Sequence, residues 1–151
     1  MSHTLIIYGS LTGNTEGAAF KISDLLQAAG HTVEVKNAVD CELDDLQGAF
    51  DHLLLACSTW DDGLPQGDFK DFMERVETSE LDLSSKKISM LGLGDSNYVH
   101  FCGALESMEE LFIGKFKGQK IIEHLRIDGY PDMEENQQKV NAWVEQLQGL
   151  I

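Results

Sequence analysis

The stretch Leu5-Ile6-Ile7-Tyr8-Gly9-Ser10-Leu11-Thr12-Gly13-Asn14-Thr15 runs from an apolar segment into a turn of glycine, hydroxyl and amide side chains. A helical stripe follows at once: Ala18, Ile22, Leu25, Leu26 and Ala29 recur at helical spacing and stop at Gly30, a residue able to take the positive φ that ends a helix. Short apolar run, polar turn, amphipathic helix is the signature of a βα unit packed on a parallel sheet.

Outward from that unit the same alternation continues. Further apolar runs span Val33 to Lys36, Leu53 to Cys57, Ile88 to Leu93 and Lys120 to Ile127, the last broken by polar residues. Between them lie the stripes Phe69, Phe72, Met73, Val76, then Leu105, Met108, Leu111, Phe112, and finally Val140, Trp143, Val144, Leu147, each read as core packing. Leu43 to Phe50 supplies a shorter helical segment. The pattern predicts an α/β fold with a doubly wound, five-stranded parallel sheet, formed as a single domain over residues 1–151. Neither repeats nor a Pro- or Gly-rich linker divides the chain, and its length suits one hydrophobic core.

Bulk properties narrow the function. With 26 acidic and 11 basic residues the formal net charge is −15, which disfavours nucleic acid and anionic membranes, because gripping phosphate backbones depends on Lys and Arg. Such a surface suits steering toward a protein with a basic docking face. The start, Met1-Ser2-His3-Thr4, lacks a basic leader or long apolar stretch, so a cytoplasmic protein with no membrane insertion is expected. Cys41, Cys57 and Cys102 are odd in number and widely separated, which suits buried reduced thiols rather than a disulfide framework or zinc site.

In open parallel sheets ligands bind beyond the carboxyl ends of the strands. Three loops there carry unusual residues. The turn Gly9 to Thr15 precedes a helix N-terminus, where unpaired N–H groups and the positive end of the dipole favour a phosphate. Asn14-Thr15 stand where a nucleotide-triphosphate loop needs Lys and Ser or Thr, and the three-glycine dinucleotide spacing is missing. A monophosphate held by neutral donors remains. Ser58-Thr59-Trp60-Asp61-Asp62-Gly63-Leu64-Pro65 follows the third run, and Gly94-Asp95-Ser96-Asn97-Tyr98 the fourth. Trp60 and Tyr98, on polar loops at one sheet edge, suggest a slot for a flat ring carrying a phosphate tail.

These loops closely resemble those of short-chain flavodoxins in order and separation, and the resemblance extends over essentially the whole chain. It implies the strand order 2-1-3-4-5 and non-covalent FMN as cofactor, with electrons carried one at a time between redox partner proteins. It further implies that Ser10, Leu11, Thr12, Gly13, Asn14, Thr15 and Ser58 line the phosphate, that Thr59 and Asp95 follow the ribityl chain and flavin edge, and that Trp60 and Tyr98 sandwich the ring. Backbone around Gly94, Asp95, His100, Phe101 and Cys102 would meet the pyrimidine end. Asp61 departs from the family pattern: members often have Gly there, whose peptide turns over when the flavin is reduced, and Gly63 is the alternative flexible point. No catalytic residue or metal ligand is expected, and the carrier is expected to act as a monomer.

Two rivals share this architecture. A receiver domain would need acidic residues ending the first strand and a phosphoacceptor Asp ending the third, but Gly9-Ser10 and Cys57-Ser58 occupy those places. A flavoprotein reductase acting on a quinone or nicotinamide nucleotide would need an open flavin face, which Trp60 and Tyr98 are expected to cover.

Overall fold

A computed structural model of the chain describes residues 2–9, 13–58, 67–94 and 103–151. In chain order the elements are β1 (His3–Gly9), α1 (Asn14–Ala28), β2 (Thr32–Asn37), a 3-10 turn (Ala38–Asp40), α2 (Leu43–Leu46), β3 (His52–Ser58), α3 (Gly67–Glu77), β4 (Lys87–Gly94), α4 (Ala104–Met108), a π-helical segment (Glu109–Lys115), β5 (Gln119–Lys120), β6 (Leu125–Asp128) and α5 (Glu134–Gln148). All strand pairings are parallel, in the order β2-β1-β3-β4-β5, with β6 also on β4. The predicted order 2-1-3-4-5 is therefore present.

Each inner strand is buried along almost its whole length because both sheet faces are covered. Period-two alternation sends Leu5, Ile7, Leu53, Leu55, Ile88 and Met90 to the face packed by α3 and α4, where Phe69, Phe72, Leu105 and Phe112 meet them. Ile6, Leu54, Ala56, Leu91 and Leu93 fall on the opposite face under Ala18, Ile22, Leu26, Val140 and Val144 of α1 and α5. This is why the strands read as continuous apolar runs rather than alternating ones. The helix α1 closes as expected at Gly30, whose φ of +96° lets the His31 N–H reach Leu26 O at 3.0 Å and its own N–H reach Gln27 O at 2.9 Å.

The fifth run is not one strand. Gln119 and Lys120 pair with Lys87 and Ile88, and Leu125 to Asp128 with Leu91 to Gly94, so residues 121–124 stand opposite only residues 89–90 of β4. The surplus cannot stay in the ladder and bulges out. The Trp143 indole N–H donates to Glu123 O at 2.9 Å and secures the bulge. Trp143 itself is buried, as a core residue should be. The third stripe likewise continues from α4 into the π-helical segment, where Phe116 N–H bonds Leu111 O, five residues back, at 2.9 Å. The α4 helix seats closely on the sheet at Gly92: a Cβ there would come within 2.8 Å of Leu105 Cγ.

Candidate cofactor site at the strand carboxyl ends

The chain leaves β1 for β2 on one side and later returns to β3 on the other, so the crevice between β1 and β3 is a topological switch point. Register brings the strand ends level: Gly9 stands opposite Cys57, Ser58 opposite Leu93 and Gly94 opposite Asp128. The starts or ends of the three loops singled out in the sequence thus share one edge of the sheet. Of the expected site residues, Gly13, Asn14, Thr15, Ser58 and Gly94 are described. Ser10, Leu11, Thr12, Thr59, Trp60, Asp61, Gly63, Asp95, Tyr98, His100, Phe101 and Cys102 lie outside the described residues.

Gly13 precedes α1 with φ +91°, and no heavy atom lies within 4 Å of where its Cβ would be. The first bond of the helix is Gly17 N–H to Gly13 O at 2.9 Å, so the N–H groups of Asn14, Thr15 and Glu16 precede the ladder and point toward the turn. Thr15 is buried at 1 % exposure, and Asn14 is half-buried. This donor set is neutral and sits at the positive end of a fifteen-residue helix, which fits the phosphate of FMN. When bound, FMN supplies the redox chemistry, and the chain supplies grip and orientation.

Across the crevice, Ser58 is half-buried and its carbonyl accepts from the Cys57 thiol at 3.1 Å. Cys41 and Cys57 are both buried and reduced; burial, ahead of the nearby Asp45 charge, pushes the Cys41 thiol up to about 12, so it is inert at neutral pH. Among the described residues, no group of three or more His, Cys, Asp or Glu could hold a metal ion. The acidic surface has a local focus: Asp68, Asp71 and Glu74 of α3 line a cleft with Val39 and Arg75, whose guanidinium is tied to Ala38 O at 2.9 Å.

One contributor escaped the sequence reading. Beyond β6, Gly129 takes φ +88° and donates its N–H to Gly94 O at 2.9 Å, joining the ends of β4 and β6 at the site. Asn136 of α5 holds that turn, its amide donating to Asp128 O at 3.0 Å and Tyr130 O at 2.8 Å. The Gly129-Tyr130-Pro131 turn signal after the fifth run was the available clue.

The family model described as Flavodoxin matches residues 6–143. A flavodoxin from Maridesulfovibrio salexigens is 40% identical over 137 residues, covering 89% of this chain and 92% of the relative. One from Nitratidesulfovibrio vulgaris is 37% identical over 145 residues, covering 95% of each. The crystal structure of oxidised flavodoxin 2 from Bacillus cereus superposes with a TM-score of 0.85 at 31% identity, covering 95% of this chain and 96% of that one. With its sheet order, its neutral turn at the α1 N-terminus and these likenesses over nearly its full length, the chain belongs to the flavodoxin family.

Proposed function

We propose that the turn Ser10 to Thr15, with Ser58, holds the phosphate of FMN, and that Trp60 and Tyr98 cover the two faces of its ring. As a flavodoxin the chain is an FMN-based electron carrier working with redox partner proteins. The observation that carries the phosphate assignment is the neutral turn with left-handed Gly13 at the start of α1, on the switch point of the sheet. Residues 1–151 act as one FMN-binding domain and as a monomer, transferring electrons rather than turning over a substrate of their own. Among the described residues no helix is long and apolar enough to cross a membrane. Reduced Cys41 and Cys57 suit a cytoplasmic carrier. Its partners present basic faces to the carboxylates of α3 and of the Asp61-Asp62 loop.

The test is a flavin titration followed by absorbance and fluorescence. One FMN per chain, held far more tightly than riboflavin and with quenched emission, is expected, and Trp60→Ala and Tyr98→Ala should each weaken binding about tenfold. A protein indifferent to FMN overturns the reading. Oxidation of NADPH by the purified protein without a partner would favour a reductase instead.

A further inference from the structure

Across the base of the β1–α1 turn, the Tyr8 hydroxyl donates to Glu16 Oε2 at 3.1 Å. Tyr8 is the penultimate residue of β1 and is buried at 7 % exposure; Glu16 is the third residue of α1. The bond therefore spans the whole turn, from the end of its strand to the start of its helix. Phe20, one turn further along α1, lays its ring against Tyr8 with centroids 6.1 Å apart and the planes at 59°. That contact gives a role to a phenylalanine otherwise left 47 % exposed.

The position of Glu16 makes this bond consequential. In a capping box, a glutamate three residues after a Ser or Thr N-cap folds back onto the N-cap N–H. Here the N-cap is Gly13, which has no side chain to share in such a box, and the Glu16 carboxylate accepts from Tyr8 at the end of β1. The hydroxyl stays a donor because burial first, and the Glu16 carboxylate second, push it above its ordinary range, with Asn37 opposing and Asp40 adding to the shift.

We propose that Tyr8 is a positioning residue for the phosphate site: it holds the Glu16 carboxylate away from the α1 N-terminus, so that the N–H groups of the first turn remain available to a phosphate dianion. The two anions would otherwise compete for the same donors and repel one another. This rests on the assignment of the turn as the phosphate site.

Four proteins test it: wild type, Tyr8→Phe, Glu16→Gln and the double variant. Each is loaded with FMN and equilibrated with excess riboflavin; the bound flavins are then separated and their ratio measured. Phenylalanine keeps the packing on Phe20 and loses only the hydroxyl. Tyr8→Phe should lower the preference for FMN over riboflavin about fivefold, a phosphate-dependent loss. Glu16→Gln, with no charge to compete, should match or exceed the wild type, and the double variant should match Glu16→Gln. A merely structural role would loosen both flavins alike, so an unchanged ratio in Tyr8→Phe overturns the proposal. A drop of equal size in the Glu16→Gln background also overturns it. A wild-type chain that takes riboflavin as readily as FMN overturns the phosphate assignment itself, and the positioning role with it.

Discussion

His52 Nε2 lies 2.7 Å from Ser89 Oγ, both side chains buried beneath α1 and α5 at the end of the sheet remote from the cofactor edge. The other ring nitrogen lies 3.0 Å from Thr4 Oγ1, so a polar rung crosses β1, β3 and β4 within an apolar layer. Whichever nitrogen carries the proton, a neutral ring can donate to one hydroxyl and accept from the other. A cationic ring could only donate.

Stability should fall in mild acid because of this rung. Burial first, then the Lys87 and His31 charges, push His52 from 6.5 down to about 3, so it stays neutral in the folded chain. Below pH 6.5 the unfolded chain takes up a proton that the folded chain does not, so stability decreases as pH drops from 6.5 toward 3. Between pH 7 and pH 5 the loss should be about 2 kcal/mol. His52→Gln should be less stable at pH 7 and show a flatter dependence over that window, measured by urea unfolding. Parallel curves for the two proteins would assign the acid sensitivity to other groups.

Two glycines should respond oppositely to alanine. At Gly118 a Cβ would lie 2.4 Å from Ile88 Cγ1 and 2.8 Å from the Phe112 carbonyl oxygen, and the backbone oxygen cannot yield cheaply. Gly118→Ala should cost about 2 kcal/mol. At Gly17, inside α1, nothing lies within 4 Å, so Gly17→Ala should stabilise by about 0.5–1 kcal/mol through helix propensity alone. Urea midpoints that shift in the same direction for both would refute the steric account.

Asn136 should govern the β6–α5 turn. It is only 5 % exposed, and its amide serves two carbonyls on that turn. Asn136→Ala should cost about 1–2 kcal/mol by removing both hydrogen bonds. Hydrogen exchange at the Gly129 N–H, now bonded to Gly94 O at 2.9 Å, should accelerate in the variant. Protection equal to wild type would show that the turn stands without α5.

Electron transfer to a basic-faced partner should slow as salt is raised. Screening shortens from about 30 Å at 0.01 M to about 8 Å at physiological ionic strength, so the bimolecular rate should fall severalfold in stopped-flow measurements. Asp71→Asn with Glu74→Gln, both on the α3 cleft, should flatten that dependence. A slope unaltered by the pair would move the docking face elsewhere.

What the sequence determined by itself was local periodicity and its punctuation. Runs such as Leu53 to Cys57 and stripes such as Val140 to Leu147 declare strand and helix because residues a fixed number apart share a face, and Gly30 marks its helix end through a conformation other residues resist. The residue types of the Gly9 to Thr15 turn, at a strand–helix junction, are what support the phosphate assignment proposed above. Residues 120–127 look like one strand for the same local reason, since nothing in their own pattern says that four of them must face two residues of β4. Tertiary structure decided that split, together with the Thr4–His52–Ser89 rung and the Tyr8–Glu16 bond. These depend on register and on how each helix is set against the sheet. Register is fixed by the packing of the whole core, so partners distant in sequence become legible only once the chain has folded.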